Sequence, residues 1–74
     1  MKIKEKFGIV IRQLRTEMGV SQEKLSLDAN IDRTYISGIE KGERNVSIEM
    51  IERLATFFQI SVSELFKKVE EYGK

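Results

Sequence analysis

The sequence predicts an all-α protein, a compact domain of five short helices that contains a helix-turn-helix. Apolar residues recur along most of the chain at three- and four-residue steps, which is the spacing of amphipathic helices. Proline, the strongest helix breaker, is absent, and no segment has the pattern of a strand. Because 74 residues suffice for one small domain, we expect a single domain over 1–74, without linkers or repeats.

The first predicted helix covers about 3–18 and ends at Gly19, since glycine tolerates the left-handed conformation in which helices commonly stop. Its apolar face is formed by Ile3, Phe7, Val10, Ile11, Leu14 and Met18. Ser21 is the predicted N-cap of a second, shorter helix that ends near Asn30.

Asp32 is the next predicted N-cap, and the helix behind it carries an isoleucine stripe and ends at Gly42. Ile31, in the turn before this helix, is expected to fill the core. Since only about three residues separate the second helix from the third, the two form a helix-turn-helix candidate over about 21–41.

A fourth helix is predicted to begin at Ser47. Its apolar face is formed by Ile48, Ile51, Leu54, Ala55 and Phe58. The residues at 61–64, Ser-Val-Ser-Glu, have the form of a capping box, so a fifth helix is expected to start there. Further apolar residues continue it towards the C-terminus.

Composition narrows the range of functions. The chain has no cysteine and no histidine, which removes disulfides, thiolate metal sites and the commonest general base. Without a phosphate-cradling glycine loop no catalytic constellation assembles, so we expect no enzyme, no metal or other cofactor, and no small-molecule ligand. No apolar run approaches the roughly 20 residues that cross a bilayer, and no signal peptide is evident, so no membrane partner and a cytoplasmic location are expected.

One long segment has a specific pattern: "LRTEMGVSQEKLSLDANIDRTYISGIEKGERNVSIEMIERLA" at 14–55. With Arg15, "GVSQ" at 19–22 and the stretch around "YISGIEKG", it strongly resembles the helix-turn-helix domains related to phage Cro and cI repressors. The part "DRTYISGIEKGERNVS" is most similar to the controller proteins of restriction–modification systems, small dimeric regulators that set the timing of endonuclease expression. Ser26 and Asn30 depart from the family's usual alanine and glycine.

Four residues at the start of the third helix are candidates for reading DNA bases, because a recognition helix directs its N-terminal residues at base edges in the major groove. Arg33 can donate two hydrogen bonds to guanine, and Thr34 offers a hydroxyl and a methyl group. Tyr35 either contacts the groove or braces the turn, and Ser37 shares the helical face of Arg33. Gly38 either permits close approach to DNA or is a tolerated weak position.

Five residues are candidates for contacts with the phosphate backbone. Gln22 lies in the first turn of the second helix, where free N–H groups and the helix dipole suit a phosphate, and the resemblance implies the same role. Arg44, Asn45 and Ser47 precede the fourth helix, although Asn45 could be a turn residue only. Lys41 could be a contact or a solvated side chain. The net charge is only +1, so any positive DNA-binding surface has to be local.

The resemblance also implies a structural ion pair between Arg15 and Glu40 that ties the first helix to the third. If this pair is buried, we expect the loss of one partner to cost about 3–5 kcal/mol of folding stability, because the other charge is stranded.

Helices four and five carry more apolar side chains than a five-helix core needs. Val62 is interpreted as core, and Phe66 fits either the core or the surface. We expect a homodimer contact within 50–72, because a two-fold contact would bury the surplus. Its candidate residues are Met50, Phe57, Phe66, Val69 and Tyr72.

The leading hypothesis is therefore a sequence-specific transcriptional regulator that binds a palindromic operator in double-stranded DNA as a homodimer. If it activates transcription, RNA polymerase is a further partner. A phage-type repressor, an antitoxin-type regulator and a protein-interaction module with the same fold are the alternatives.

Overall fold

The structure, a computed structural model, describes residues 1–74 and contains five helices and no strand. The helices are α1 (Ile3–Met18), α2 (Gln22–Ala29), α3 (Arg33–Glu40), α4 (Ile48–Phe57) and α5 (Val62–Glu71). The predicted all-α fold with a helix-turn-helix is confirmed. None of the five helices has the length and apolar character required to cross a bilayer.

The last four helices begin at the caps that the sequence predicts. The side chains of Ser21, Asp32, Ser47 and Ser61 each accept a hydrogen bond from a main-chain N–H in the following turn. At the start of α1 the Lys2 main-chain N–H donates to the Glu5 carboxylate at 2.9 Å, a contact that the sequence analysis did not identify. Local side-chain chemistry therefore sets the helix boundaries.

Thirteen buried apolar residues form one core between the helices. They are Phe7, Val10, Ile11, Leu25, Ala29, Ile31, Ile36, Ile39, Leu54, Ala55, Phe58, Leu65 and Val69. Helix α1 packs against α3 and α5, while α2 packs against α3 and α4. Ile31 fills the core from the turn between α2 and α3, as expected.

Several apolar residues that were predicted to face the core are exposed to solvent. Val62 was expected in the core but is 41% exposed: by spacing it lies on the same stripe as Leu65 and Val69, but it is the first residue of α5, at the exposed end of that stripe. Ile48, in the first turn of α4, is 84% exposed for the same reason. Ile3 and Met18, at the two ends of α1, are also exposed, since the neighbouring helices cover only its middle.

Gly8 sets the distance between α1 and α3. It is buried, and a Cβ atom at this position would overlap the carbonyl oxygen of Ile39. The two helices are therefore in backbone contact here, closer than any larger residue would allow. This close approach brings the second half of α1 beside the C-terminal end of α3.

Candidate nucleic-acid interface

The turn between α2 and α3 is fixed by three local features. Asn30 ends α2 in the left-handed conformation with φ 56°. The hydroxyl of Ser26 donates a hydrogen bond to the carbonyl of Ile31, and the Ile31 side chain is buried. The two residues that depart from the family's usual alanine and glycine thus both support the turn, which orients α3 relative to α2.

At the start of α3, Arg33 and Thr34 are exposed, and neither side chain forms a hydrogen bond or ion pair within the protein. The Asp32 carboxylate accepts the main-chain N–H of Thr34 at 2.8 Å, which fixes the first turn. Ile36 on the same helix is fully buried. Because burial of α3 fixes its rotation, the guanidinium and the hydroxyl face outward and are available to a ligand, while Ser37 is half-buried beside them.

The Tyr35 side chain makes its contacts within the protein. Its hydroxyl donates a hydrogen bond to the carbonyl of Asn45 at 2.9 Å, and the guanidinium carbon of Arg44 lies 5.3 Å from the centre of its ring. Of the two roles considered for Tyr35, this geometry supports bracing: the side chain attaches the loop that precedes α4 to the recognition-helix candidate.

Gly38 has a role that neither sequence interpretation included. A Cβ atom here would lie 2.8 Å from Nε and 2.9 Å from Cγ of Arg44. The missing side chain therefore lets Arg44 lie along the surface of α3. The main-chain N–H of Glu43 also donates to the carbonyl of Gly38 at 2.9 Å, which holds the loop against the helix.

Arg15 and Glu40 form an ion pair between α1 and α3. Arg15 Nε donates to Glu40 Oε2 at 2.7 Å, and Nη2 donates to Oε1 at 3.0 Å. A third donor, Nη1, reaches the carbonyl of Val20 at 2.9 Å. The hydrogen bond with the Glu40 carboxylate raises the pKa of Arg15, although burial acts in the opposite direction, so the guanidinium stays charged. This pair is a fixed structural element rather than a free recognition surface.

Gln22 joins the same network. Its Nε2 donates to Oε1 of Glu40 at 3.0 Å, and the side chain is half-buried. The first residue of α2 is thereby connected to the last residue of α3. A contact between Gln22 and phosphate has to be made by the atoms of the amide that Glu40 leaves free.

The remaining phosphate candidates surround the start of α4. Ser47 is the N-cap, and its Oγ accepts the main-chain N–H of Met50 at 3.2 Å. Lys41, Arg44 and Asn45 are exposed, and neither cation forms an ion pair. The structure thus brings cations and a capped helix N-terminus together in one segment beside α3.

Four of the five dimer candidates are partly exposed and pack against the edge of the core: Met50, Phe57, Phe66 and Tyr72. Val69 is not among them. It has 0% exposed surface within one protomer, because it lies on the inner stripe of α5, so its expected role in a dimer surface is wrong. The sequence analysis placed Ile48 on the inner face of α4, whereas its side chain is exposed. Its position directly after the Ser47 cap, at the end of the helix, was the available sign of that exposure.

Comparison with known proteins shows the family of this chain. The family model described as helix-turn-helix matches residues 11–65. The control protein C.MunI of a Mycoplasma species is 41% identical over 70 residues, which cover 93% of this chain and 95% of that protein.

Solved structures of controller proteins are similar as well. The restriction-modification controller protein C.AhdI from Aeromonas hydrophila is 48% identical, with a TM-score of 0.81 over 85% of this chain and 96% of that chain. C.Esp1396I, solved bound to a 25 base pair operator site, is 35% identical, with a TM-score of 0.85 over 96% of this chain and 93% of that chain.

Proposed function

Because this chain belongs to the helix-turn-helix family, among relatives that are restriction–modification controller proteins, we propose that it regulates transcription by binding a palindromic operator as a homodimer. DNA-binding regulation of transcription is the function of its family. The operator symmetry, the dimer and the residue roles given below are our proposals.

The observation that carries the proposal is the outward pair Arg33 and Thr34 at the N-terminus of α3. Both side chains are exposed and free of partners, on a helix whose rotation is fixed by buried isoleucines. In a helix-turn-helix this end of the second helix enters the major groove. Arg33 then donates to O6 and N7 of a guanine, and Thr34 contacts a neighbouring base.

The phosphate contacts lie on either side of this pair. Gln22 is at the N-terminus of α2, and Arg44, Asn45 and Ser47 precede α4. Helix N-termini present main-chain N–H groups and a partial positive charge, which suit a phosphate. Since the chain has a net charge of only +1, the affinity for nonspecific DNA comes from this local surface, together with Lys41, rather than from the protein as a whole.

A homodimer supplies the specificity that one short helix lacks. Two copies of α3 placed about 34 Å apart read two half-sites one helical turn apart. The partly exposed apolar residues on α4 and α5, Met50, Phe57, Phe66 and Tyr72, offer a surface for this contact. The operator site on which C.Esp1396I was solved, at 25 base pairs, is long enough for such a pair.

Operator selection followed by a binding titration tests the proposal. Duplexes selected from a random pool by the purified protein are expected to contain an inverted repeat with half-site centres about 10 base pairs apart. Fluorescence anisotropy then gives the affinity, and sedimentation velocity gives the stoichiometry, which is expected to be two chains per site. A monomer on and off DNA would contradict the dimer. No binding even at low salt would favour a protein-interaction module.

The genes beside the operator distinguish the forms of regulator. Adjacent genes for a methyltransferase and an endonuclease support a controller protein, and phage or toxin genes support the phage-type or antitoxin-type alternative.

We place the protein in the cytoplasm, where the DNA is. Transcription in vitro with purified RNA polymerase shows whether the polymerase is a partner: activation from the operator supports a contact, and repression alone does not require one.

A further inference from the structure

We infer that Glu40 is a positioning residue for DNA binding, which holds the Gln22 amide at the N-terminus of α2 in the orientation that donates to a phosphate. This inference rests on the proposed function. It gives the partly buried ion pair of Arg15 and Glu40 a second role besides joining α1 to α3.

The Glu40 carboxylate lies at the centre of a hydrogen-bond network. The Glu40 carboxylate accepts three side-chain N–H groups: Nε and Nη2 of Arg15 and Nε2 of Gln22, at distances between 2.7 and 3.0 Å. The carboxylate side chain is only 5% exposed, so solvent does not compete freely for it. Arg15 is itself anchored to the Val20 carbonyl, at the start of the segment that leads into α2. The Glu40 carboxylate, which is the acceptor for Gln22, is therefore fixed by Arg15 through both of its oxygens.

The Glu40 carboxylate also determines the orientation of the Gln22 amide. A carboxylate accepts hydrogen bonds only, so it fixes which end of the Gln22 amide turns inward: the NH2 group. That nitrogen has two hydrogens, and the bond to Glu40 uses one of them. The second N–H is left for an acceptor outside the protein. At the same end of α2 the main-chain N–H groups of Gln22 and Glu23 have no acceptor in the protein, whereas that of Lys24 is bonded to the Ser21 hydroxyl. Together, the second N–H of the Gln22 amide and these main-chain N–H groups suit the oxygens of one phosphate.

The hydrogen bond between Gln22 and Glu40 also connects the two helices of the helix-turn-helix. Gln22 is the first residue of α2, and Glu40 is the last residue of α3, the helix that carries Arg33. Their hydrogen bond links the phosphate contact to the base-reading helix, so the two contacts keep one spacing. A glutamine free to rotate would lose side-chain entropy on binding, and one already held by Glu40 loses less.

A double-mutant cycle tests this coupling. Glu40→Asp keeps the charge for Arg15 but withdraws the carboxylate by one methylene group, and Gln22→Ala removes the amide. We expect each change to weaken binding to the operator and to an unrelated duplex alike, by about tenfold, the size of one hydrogen bond to a charged group. The double variant should bind about as tightly as the weaker of the two single variants, because both changes remove the same contact. Affinities are compared at a temperature where circular dichroism shows all variants folded.

Val10→Ala is the matched control, since Val10 is a buried core residue of α1 and takes no part in the hydrogen bonds of Glu40 or Gln22. It should lower the melting temperature while leaving the affinity of the folded protein unchanged. Single-variant effects that multiply in the double variant would overturn the inference. Wild-type protein that binds no DNA in the same titration would overturn the proposed function as well, which separates the two failures.

A measurement on the wild-type protein covers the case in which Glu40→Asp does not fold. Side-chain amide relaxation by NMR should show Gln22 restrained on the nanosecond timescale, whereas Gln13 and Gln59, which are exposed and form no side-chain hydrogen bond, should be mobile. Equal mobility of the three amides would overturn the inference independently of DNA.

Discussion

The hydroxyl of Tyr35 donates a hydrogen bond to the main-chain carbonyl of Asn45 at 2.9 Å, across ten residues of sequence. This bond joins the recognition-helix candidate α3 to the loop that precedes α4. Arg44, next to Asn45, packs on the ring of the same tyrosine. A residue expected to face the DNA thus also determines where a neighbouring cation stands, so base-reading and phosphate-binding groups are connected through the protein.

Tyr35→Phe removes this bond and keeps the ring. We expect unfolding to become easier by about 0.5–1.5 kcal/mol, towards the low end because water can satisfy the exposed Asn45 carbonyl. Chemical denaturation measures this cost, and amide hydrogen exchange should be faster in the loop 41–47. Tyr72→Phe is the matched control, since the Tyr72 hydroxyl forms no hydrogen bond in the protein. Unchanged exchange in the loop would show that the bond does not hold it.

Arg33→Ala should weaken operator binding by about 1–3 kcal/mol and relax the preference at one base position per half-site. The reason is that its exposed guanidinium is free to donate a pair of hydrogen bonds to one guanine. Titration of operators substituted one base pair at a time measures the preference. Arg12→Ala, which removes the same charge from the exposed side of α1, serves as the control. An equal loss of specific and nonspecific affinity would mean that Arg33 contacts only the backbone.

Arg44→Ala should weaken binding to all duplexes about equally and reduce the slope of log affinity against log salt by about 0.9, the share of one phosphate. Gly38→Ala should reproduce part of this effect without changing any charge, since the new Cβ displaces the Arg44 side chain from α3. Salt titrations of the two single variants and the double variant check this. If Gly38→Ala weakened binding as much in the Arg44→Ala background as in the wild type, the effect would not pass through Arg44.

The two buried glycines in helices should respond oppositely to alanine. At Gly38 the obstructing atoms belong to a flexible arginine, so the helix propensity gained, about 1 kcal/mol, is offset only by lost Arg44 packing. At Gly8 they belong to the α3 backbone, which cannot move aside, and we expect a loss of about 1–3 kcal/mol or more. Thermal unfolding of both variants measures the difference. Similar melting temperatures would contradict the close approach of α1 and α3.

Glu64 provides a pH-dependent contribution at the start of α5. The Ser61 main-chain N–H donates to its carboxylate at 3.1 Å, and this bond, with a smaller contribution from the Ser61 side chain, lowers the pKa of Glu64 below its ordinary 4.5. Since the folded pKa is the lower one, the stabilisation is complete above pH 4.5 and is lost as the pH falls through the folded value. The Ser61 amide shift in NMR should therefore titrate with a midpoint below 4.5, and Glu64→Gln should abolish that titration. A midpoint above 4.5 would contradict the bond.

The helix boundaries could be predicted because short-range chemistry decides them. Ser21, Asp32, Ser47 and Ser61 cap the turns that follow them in sequence, whatever the rest of the chain does. Arg33 was expected to be accessible because it lies in the first turn of α3, and a recognition helix directs its N-terminal residues at the DNA. Helical spacing alone would not predict this, since Arg33 lies only three residues before the buried Ile36. The ion pair of Arg15 with Glu40, by contrast, was expected from the family resemblance and not from spacing.

Other features depend on how one helix approaches another. Gly8 and Gly38 look alike in sequence, yet one meets the backbone of α3 and the other an arginine side chain. Val62 and Val69 are both apolar residues of α5, and only the second faces a neighbouring helix. No spacing rule within one helix contains that information.

The sequence by itself determined five helices, the N-caps of four of them, the helix-turn-helix and the candidate residues for DNA contact, because these follow from periodicity, capping chemistry and motif. The tertiary structure alone decided that Tyr35 braces a loop, that Gly38 makes room for Arg44, and that Glu40 holds Gln22. Each of these relationships joins residues that are distant in sequence, and their distances are fixed only when the core has packed the helices together.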